Sequence, residues 1–274
     1  GKLPKGLVEL YTGIALRAGA LEVEFLVVGA MARDLVLVHG FNSKIERGTR
    51  DVDFAINVSS WNEFNSLREA LLKSGYRADP KEVQKLYLEC SDKSQWEIDI
   101  LPFGAIKDAN SSIAWPPDQD TEMSVLGFEE AEQSALQVRI SKDPEIVVKV
   151  ASPAGMSVLK LISWLDRDSN KRKKDAADLR YLIKTYTNIP EILNAIYEEG
   201  QMEEQDFDIE KASAMKLGLD AARLASQETK EFLRKTLFDD EQKFEVLIRE
   251  MAESSHSSLE ECRDWIAIFK AALI

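Results

Sequence analysis

Cysteine is nearly missing: Cys90 and Cys262 are the only two in 274 residues, they lie 172 positions apart, and neither belongs to a CxxC pair. That excludes a disulfide framework and a zinc ribbon, which need closely spaced sulfur ligands. The two histidines, His39 and His256, have no cysteine at metal-ligand spacing and no serine or aspartate motif beside them, so a nucleophilic triad is not indicated. No apolar run reaches the ~18 residues that a bilayer-spanning helix needs, which predicts a protein with no membrane segment. Gly1-Lys2-Leu3-Pro4-Lys5 runs into an amphipathic pattern rather than a signal-peptide core, and this predicts a cytoplasmic location. Neither a G-x-x-x-x-G-K-[ST] phosphate loop nor a triple-glycine dinucleotide fingerprint is present. Positive charge is also short, 35 Lys and Arg against 48 Asp and Glu for a net charge of -13, which argues against broad adhesion to nucleic acid. The deficit is uneven, with residues 1–50 at +2 and residues 151–200 at +1.

What is present is an ordinary globular balance, 45% hydrophobic and 30% charged, in a chain long enough for about two domains. Leu7, Leu10, Tyr11, Ile14, Ala15 and Ala18 recur at helical spacing over residues 4–20. Phe25 to Val28 reads as a short strand that turns at Gly29 into a helix over Met31 to Val38, closed by Gly40. Val52, Phe54 and Ile56 alternate with Asp51, Asp53 and Ala55 in a strand, followed by a helix from about Ser60 to Lys73. Further strands are expected near 83–90, 96–103, 136–141 and 145–150. Between them residues 105–133 read as a loop with one short helix near 128–134. From Pro153 the pattern is helix after helix, with breaks near Asn188 to Pro190, at Gly200 and at Ser254-Ser255. This predicts an α+β protein: a mixed-sheet domain with flanking helices over 1–152 and an all-α domain over 153–274. The acidic cluster Glu203, Glu204, Asp206 and Asp208 reads as solvated surface.

The residues that carry chemistry begin at Thr49-Arg50-Asp51-Val52-Asp53-Phe54, where Asp51 and Asp53 fall on one face of a strand and Val52 and Phe54 on the other. Two carboxylates so placed suit a divalent cation, since Mg²⁺ takes one or two carboxylates plus substrate phosphates. Strand-edge charges kept for solubility are the plainer explanation of Asp-x-Asp alone. In Trp96-Glu97-Ile98-Asp99-Ile100, Asp99 supplies a third carboxylate on another strand, and three such groups brought together would repel one another without metal. Val28-Gly29-Ala30-Met31 offers backbone N–H groups to a phosphate at a helix start, although a plain helix start explains it equally. Asp175 and Asp178, at i and i+3, share a helix face, and Lys171 to Asp175 and Lys174 to Asp178 are spaced as surface ion pairs.

Gly29-Ala30, Asp51-x-Asp53 and Asp99, in that order, resemble the nucleotidyltransferase fold of polymerase-beta-like enzymes. The segment from Lys160 through Arg167 to Asp175-x-x-Asp178 is similar to the helical signature of the AbiEii/AbiGii group of toxin nucleotidyltransferases, so the resemblance covers about residues 25–183. It implies a metal-dependent enzyme that moves a nucleoside monophosphate from a nucleoside triphosphate to a hydroxyl acceptor and releases pyrophosphate. It further implies Mg²⁺ or Mn²⁺ on Asp51, Asp53 and Asp99, with Asp99 as base for the acceptor. Gly29 and Ala30 would approach the triphosphate, Lys160 and Arg167 would bind nucleotide, and Asp175 and Asp178 would form an acid/base or orienting pair. A tRNA end or a protein is the implied acceptor, ATP, GTP or CTP the donor, and an antitoxin a possible partner. An aminoglycoside-type transferase and a catalytically silent binding module of the same fold are the alternatives. Ala30 departs from the Gly-Gly or Gly-Ser usual at the cradle and brings no hydroxyl. Arg33-Asp34 is similar to a feature of tRNA 3′-end-adding enzymes.

Overall fold

The structure, a computed structural model, describes residues 3–253 and 257–274. Helix α1 (Lys5–Ala20) leads into β1 (Glu24–Val28) and the short α2 (Gly29–Arg33), which passes directly into a π-helical stretch over Asp34–Gly40. Then come β2 (Asp51–Asn57), α3 (Trp61–Leu72), β3 (Arg77–Ala78), β4 (Lys85–Glu89) and β5 (Gln95–Phe103). A small hairpin, β6 (Ser112–Ala114) with β7 (Glu122–Ser124), lies in the segment whose composition predicted only loop, because three-residue strands leave no readable alternation. It is followed by α4 (Phe128–Gln133), β8 (Leu136–Lys142) and β9 (Glu145–Val150).

Seven strands form one mixed sheet among the described residues, in the order β3-β4-β5-β2-β1-β9-β8. The neighbours β2 and β5 run parallel, as do β1 and β9, and the other pairs are antiparallel. One face is apolar: Val52, Phe54, Ile98 and Ile100 are buried, and Tyr11 of α1 meets Phe54 edge-on at 5.7 Å. Each such fully buried large side chain contributes about 1.5–3 kcal/mol relative to exposure, so the helices over this face hold the sheet in place. The opposite face carries the alternate residues of the same strands, Asp51, Asp53, Glu97 and Asp99.

The helical portion starts at α5 (Pro153–Asp166), where the Ser152 hydroxyl accepts from the Gly155 N–H and Pro153 stands in the first turn. It continues with α6 (Lys173–Thr185), α7 (Pro190–Glu198), α8 (Gln201–Glu204), α9 (Ile209–Leu224), α10 (Gln227–Leu233), α11 (Glu241–Glu253) and α12 (Leu259–Leu273). The breaks expected at Asn188 to Pro190 and Gly200 fall between helices, while the one at Ser254-Ser255, and His256, lie outside the described residues. Helices α9 and α12 pack closely at Gly218, where a Cβ would stand 2.6 Å from the Phe269 carbonyl oxygen. One buried apolar cluster runs from α1 through the sheet to Leu273. No helix among the described residues is long and apolar enough to cross a membrane.

Candidate functional site

Strand register builds the site. Asp53 on β2 stands opposite Asp99 on the parallel β5, and Asp51 stands opposite Glu97. On the other side of β2, Val28 pairs with Asp53, so Gly29 follows at the end of β1 next to the Asp53 carboxylate. Gly29 has φ +70, and a Cβ there would lie 2.0 Å from Asp53 Oδ2. Only a residue without a side chain fits between the start of α2 and that carboxylate. Ala30 follows, buried within the first turn of α2.

The pair is electrostatically strained. Burial raises the Asp53 carboxyl above its usual range, with Lys160 and Arg167 opposing and Asp51 and Asp175 adding to the rise. Asp99 is pushed up to about 7, by burial first and by Asp53 next, with Lys85 opposing. Asp99 Oδ1 is buried with no hydrogen-bond partner among the described residues. A buried acceptor without a donor costs about 1–3 kcal/mol, and the donor chemistry that relieves both the orphan oxygen and the repulsion is a cation. The residues therefore fit a divalent metal held by two adjacent carboxylates and completed by substrate oxygens. Asp51 is exposed at the start of β2. No three His, Cys, Asp or Glu side chains among the described residues are grouped so as to hold a metal by themselves.

Beside the carboxylates lies a buried ionic network. Lys160 on α5 reaches Asp175 at 2.8 Å and Asp178 at 2.7 Å, both carboxylates facing inward from α6. Arg167, just past the end of α5, binds Asp175 at 2.9 Å and contributes to the field at Asp53 and Asp99. Asp178 also receives Arg33 from α2 and Arg47 at 3.4 Å. Burial opposes the charge of Asp178, yet Lys160, Arg33 and Arg47 together hold its carboxyl below the usual range. A carboxylate so clamped is an anchor for cations rather than a proton donor near neutral pH. The surface pairs that the i,i+4 spacing suggested are not formed: Lys171 precedes α6, Lys171 and Lys174 are exposed, and Asp175 and Asp178 are about 1% exposed.

Three further cations belong to this neighbourhood and were not picked out from sequence as site residues. Arg33, 3% exposed, donates from Nε and Nη2 to Asp34 Oδ1 and stacks over the Tyr181 ring at 4.9 Å. Arg47 lies in the loop before β2 and meets Asp178. Lys85 on β4 stands opposite Asp99 across the β4–β5 pair. Only Arg33 left a usable trace, as a charged pair within the otherwise apolar run Ala30 to Val38. Two cavities of about 450 and 490 Å³ lie elsewhere, lined by residues such as Ser152, Tyr186 and Asp220 in one and Phe41, Tyr181 and Asn188 in the other. On the carboxylate face Asp51 and Glu97 are exposed and Asp53 and Asp99 half-buried, with Lys85, Lys160 and Arg167 acting on them.

A family model described as the nucleotidyl transferase AbiEii toxin of type IV TA systems matches residues 14–250. The chain belongs to the AbiEii nucleotidyltransferase toxin family, and its seven-stranded mixed sheet with helices makes it an α+β protein. Among solved structures the chain is similar to the solution structure of the antibiotic-resistance factor ANT(2'')-Ia, at 14% identity over 72% of this chain and 100% of that one, with a TM-score of 0.35. No curated protein matches the chain in sequence.

Proposed function

We propose that the chain is a metal-dependent nucleotidyltransferase that transfers a nucleoside monophosphate from a nucleoside triphosphate to a hydroxyl acceptor. Residues 1–152 would carry the carboxylates, and the helical residues 153–274 would bring Lys160 and Arg167 to them. The observation that carries the reading is the Asp53–Asp99 register beside Gly29, in a chain of a nucleotidyl transferase family. Asp53 and Asp99, with Asp51 at the strand edge, would hold Mg²⁺ or Mn²⁺. When bound, such an ion neutralises the carboxylates and stabilises charge on the phosphate oxygens.

The remaining work falls to the chain. Gly29 and Ala30 bring backbone N–H groups to the triphosphate. Lys160 and Arg167 place positive charge beside Asp53, where the phosphates would lie, and Asp175 and Asp178 position them there. The acceptor oxygen forms a bond to the α-phosphorus, the bond from that phosphorus to the oxygen bridging to the β-phosphate breaks, and pyrophosphate leaves. The acceptor's proton passes to Asp99, which stands beside Asp53 on β5 with one carboxylate oxygen left without a donor among the described residues. For the acceptor we favour a tRNA end over a protein. The loop after Arg167 exposes Lys171, and the first turn of α6 exposes Lys173 and Lys174, a local basic strip in an acidic chain. As a type IV system toxin it would act in the cytoplasm and be countered by a cognate antitoxin. With each of the four nucleoside triphosphates labelled at the α-phosphate and supplied in turn with Mg²⁺, label should pass from at least one of them into total tRNA with the wild-type chain and not with Asp53→Asn. Label transfer that is equal in the two proteins would remove the carboxylates from the mechanism.

A further inference from the structure

Three strands place charged side chains in one row on the acidic face: Lys85 on β4, Asp99 on β5 and Asp53 on β2, each the cross-strand partner of the next. We infer that Lys85 is the resident counter-cation of the Asp99–Asp53 pair, a positioning residue that holds the row together without metal and weakens divalent-cation binding by competing with it. The inference rests on the metal reading above.

The geometry separates Lys85 from the other cations of the site. Lys160 and Arg167 are engaged by the buried Asp175, and Lys160 also by the buried Asp178. Lys85 is 22% exposed and its ammonium is held by two glutamates near the surface, Glu82 at 3.0 Å and Glu97 at 3.6 Å, which are themselves about half exposed. It makes no direct ion pair with Asp99, whose Oδ1 stays without a donor among the described residues. Lys85 therefore lends Asp99 its field while leaving the oxygen free for another ligand. Glu82 and Asp51 add their negative fields to that of Asp53 at Asp99, and the Lys85 ammonium opposes them. Burial opposes its charge, but Glu82, Asp99 and Glu97 hold it above the usual lysine range.

A unit charge about 6 Å from a divalent ion, even at the dielectric of water near 80 that suits a partly exposed ammonium, changes the affinity for that ion by roughly tenfold. The full chain and its Lys85→Met, Lys85→Arg and Asp53→Asn variants should be titrated with Mn²⁺ alone, reading free Mn²⁺ by electron paramagnetic resonance and thermal unfolding with and without the ion. Lys85→Met should bind Mn²⁺ about tenfold more tightly than wild type, unfold at a lower temperature without metal, and gain more from saturating Mn²⁺. Lys85→Arg should behave as wild type. If Lys85→Met fails to fold, Lys85→Gln gives the same reading. Mn²⁺ binding that Asp53→Asn abolishes but Lys85→Met leaves unchanged or weakens overturns the role of Lys85 alone. Failure of wild type and Lys85→Met alike to bind Mn²⁺ overturns the metal reading together with it.

Discussion

Gly29 and Asp53 touch: the glycine at the end of β1 has φ +70, and a Cβ in its place would stand 2.0 Å from the Asp53 carboxylate. A Gly29→Ala substitution meets two costs, about 1–2 kcal/mol for a left-handed alanine and a displacement of Asp53. Denaturant unfolding should show a loss of about 1–3 kcal/mol, with nucleotide transfer falling further than stability. In an Asp53→Ala background the same substitution should cost less, because only the backbone strain remains. Additive effects would mean that the two residues do not constrain each other.

The paired carboxylates predict an unusual pH dependence for the metal-free protein. Asp99 is raised to about 7 in the folded chain, so between its ordinary value of 3.8 and about 7 the folded state binds more protons than the unfolded one. Its contribution to stability is present in full below pH ~4 and is lost as pH rises through 7. Asp178 works in the opposite sense: its lowered pKa gives stability above the ordinary carboxylate range that is lost in acid. Metal-free protein should therefore lose a few kcal/mol, about 3 at most, from pH 4.5 to 8, and Asp99→Asn should flatten that slope. Added Mg²⁺ should restore stability at pH 8. An identical slope in Asp99→Asn would show that other groups set it.

Tyr11 is fully buried behind the same strand, and its hydroxyl has no hydrogen-bond partner among the described residues. Burial first, then the fields of Asp53 and Asp34, keep its pKa well above the ordinary value. Replacement by phenylalanine removes an unsatisfied polar atom while keeping the ring against Phe54, so Tyr11→Phe should hold or raise stability, by about 1 kcal/mol. A loss of 1 kcal/mol or more in urea unfolding would mean that the hydroxyl finds a partner in solution.

How far the sequence showed this arrangement depends on the kind of signal. Strand β2 was readable because Val52, Phe54 and Ile56 alternate with Asp51 and Asp53, and the period of two fixes which side chains share a face. That Asp99 would lie next to Asp53 was an expectation from family resemblance, since nothing local in a strand states its neighbour. The π-helical stretch after Arg33 leaves no compositional trace, because one residue's slip in hydrogen bonding does not alter which positions are apolar. The i,i+4 spacing at Lys171 and Lys174 misled for a definite reason: α6 begins only at Lys173 and turns Asp175 and Asp178 inward. Lys85 has no distinguishing sequence signal, because a lysine on the polar face of a strand resembles any solubility charge.

The Asp175–Asp178 pair yields the sharpest test, because burial separates its three possible roles. As surface ion pairs they would be worth no more than about 0.5 kcal/mol each, and as acid/base groups their loss would lower rate by ~10²–10⁴-fold with stability unchanged. The structure instead buries Asp178 among Lys160, Arg33 and Arg47, so Asp178→Asn leaves three cations crowded without their common anion. Breaking such a buried set typically costs about 3–5 kcal/mol. The variant should lose that stability, and its triphosphate affinity should fall because Lys160 loses one of its two carboxylate anchors. Arg47→Ala should cost no more than about 1 kcal/mol, since Arg47 is 35% exposed and its contact with Asp178 is long, at 3.4 Å. Exchanging charges in a Lys171→Asp, Asp175→Lys double variant should rescue nothing, because Lys171 lies outside α6 and the new lysine would sit against Lys160 and Arg167. Urea midpoints and nucleotide titrations on the four proteins decide between the roles. Wild-type stability in Asp178→Asn with transfer lost would return the pair to acid/base chemistry, and recovery in the double variant would return it to the helix surface.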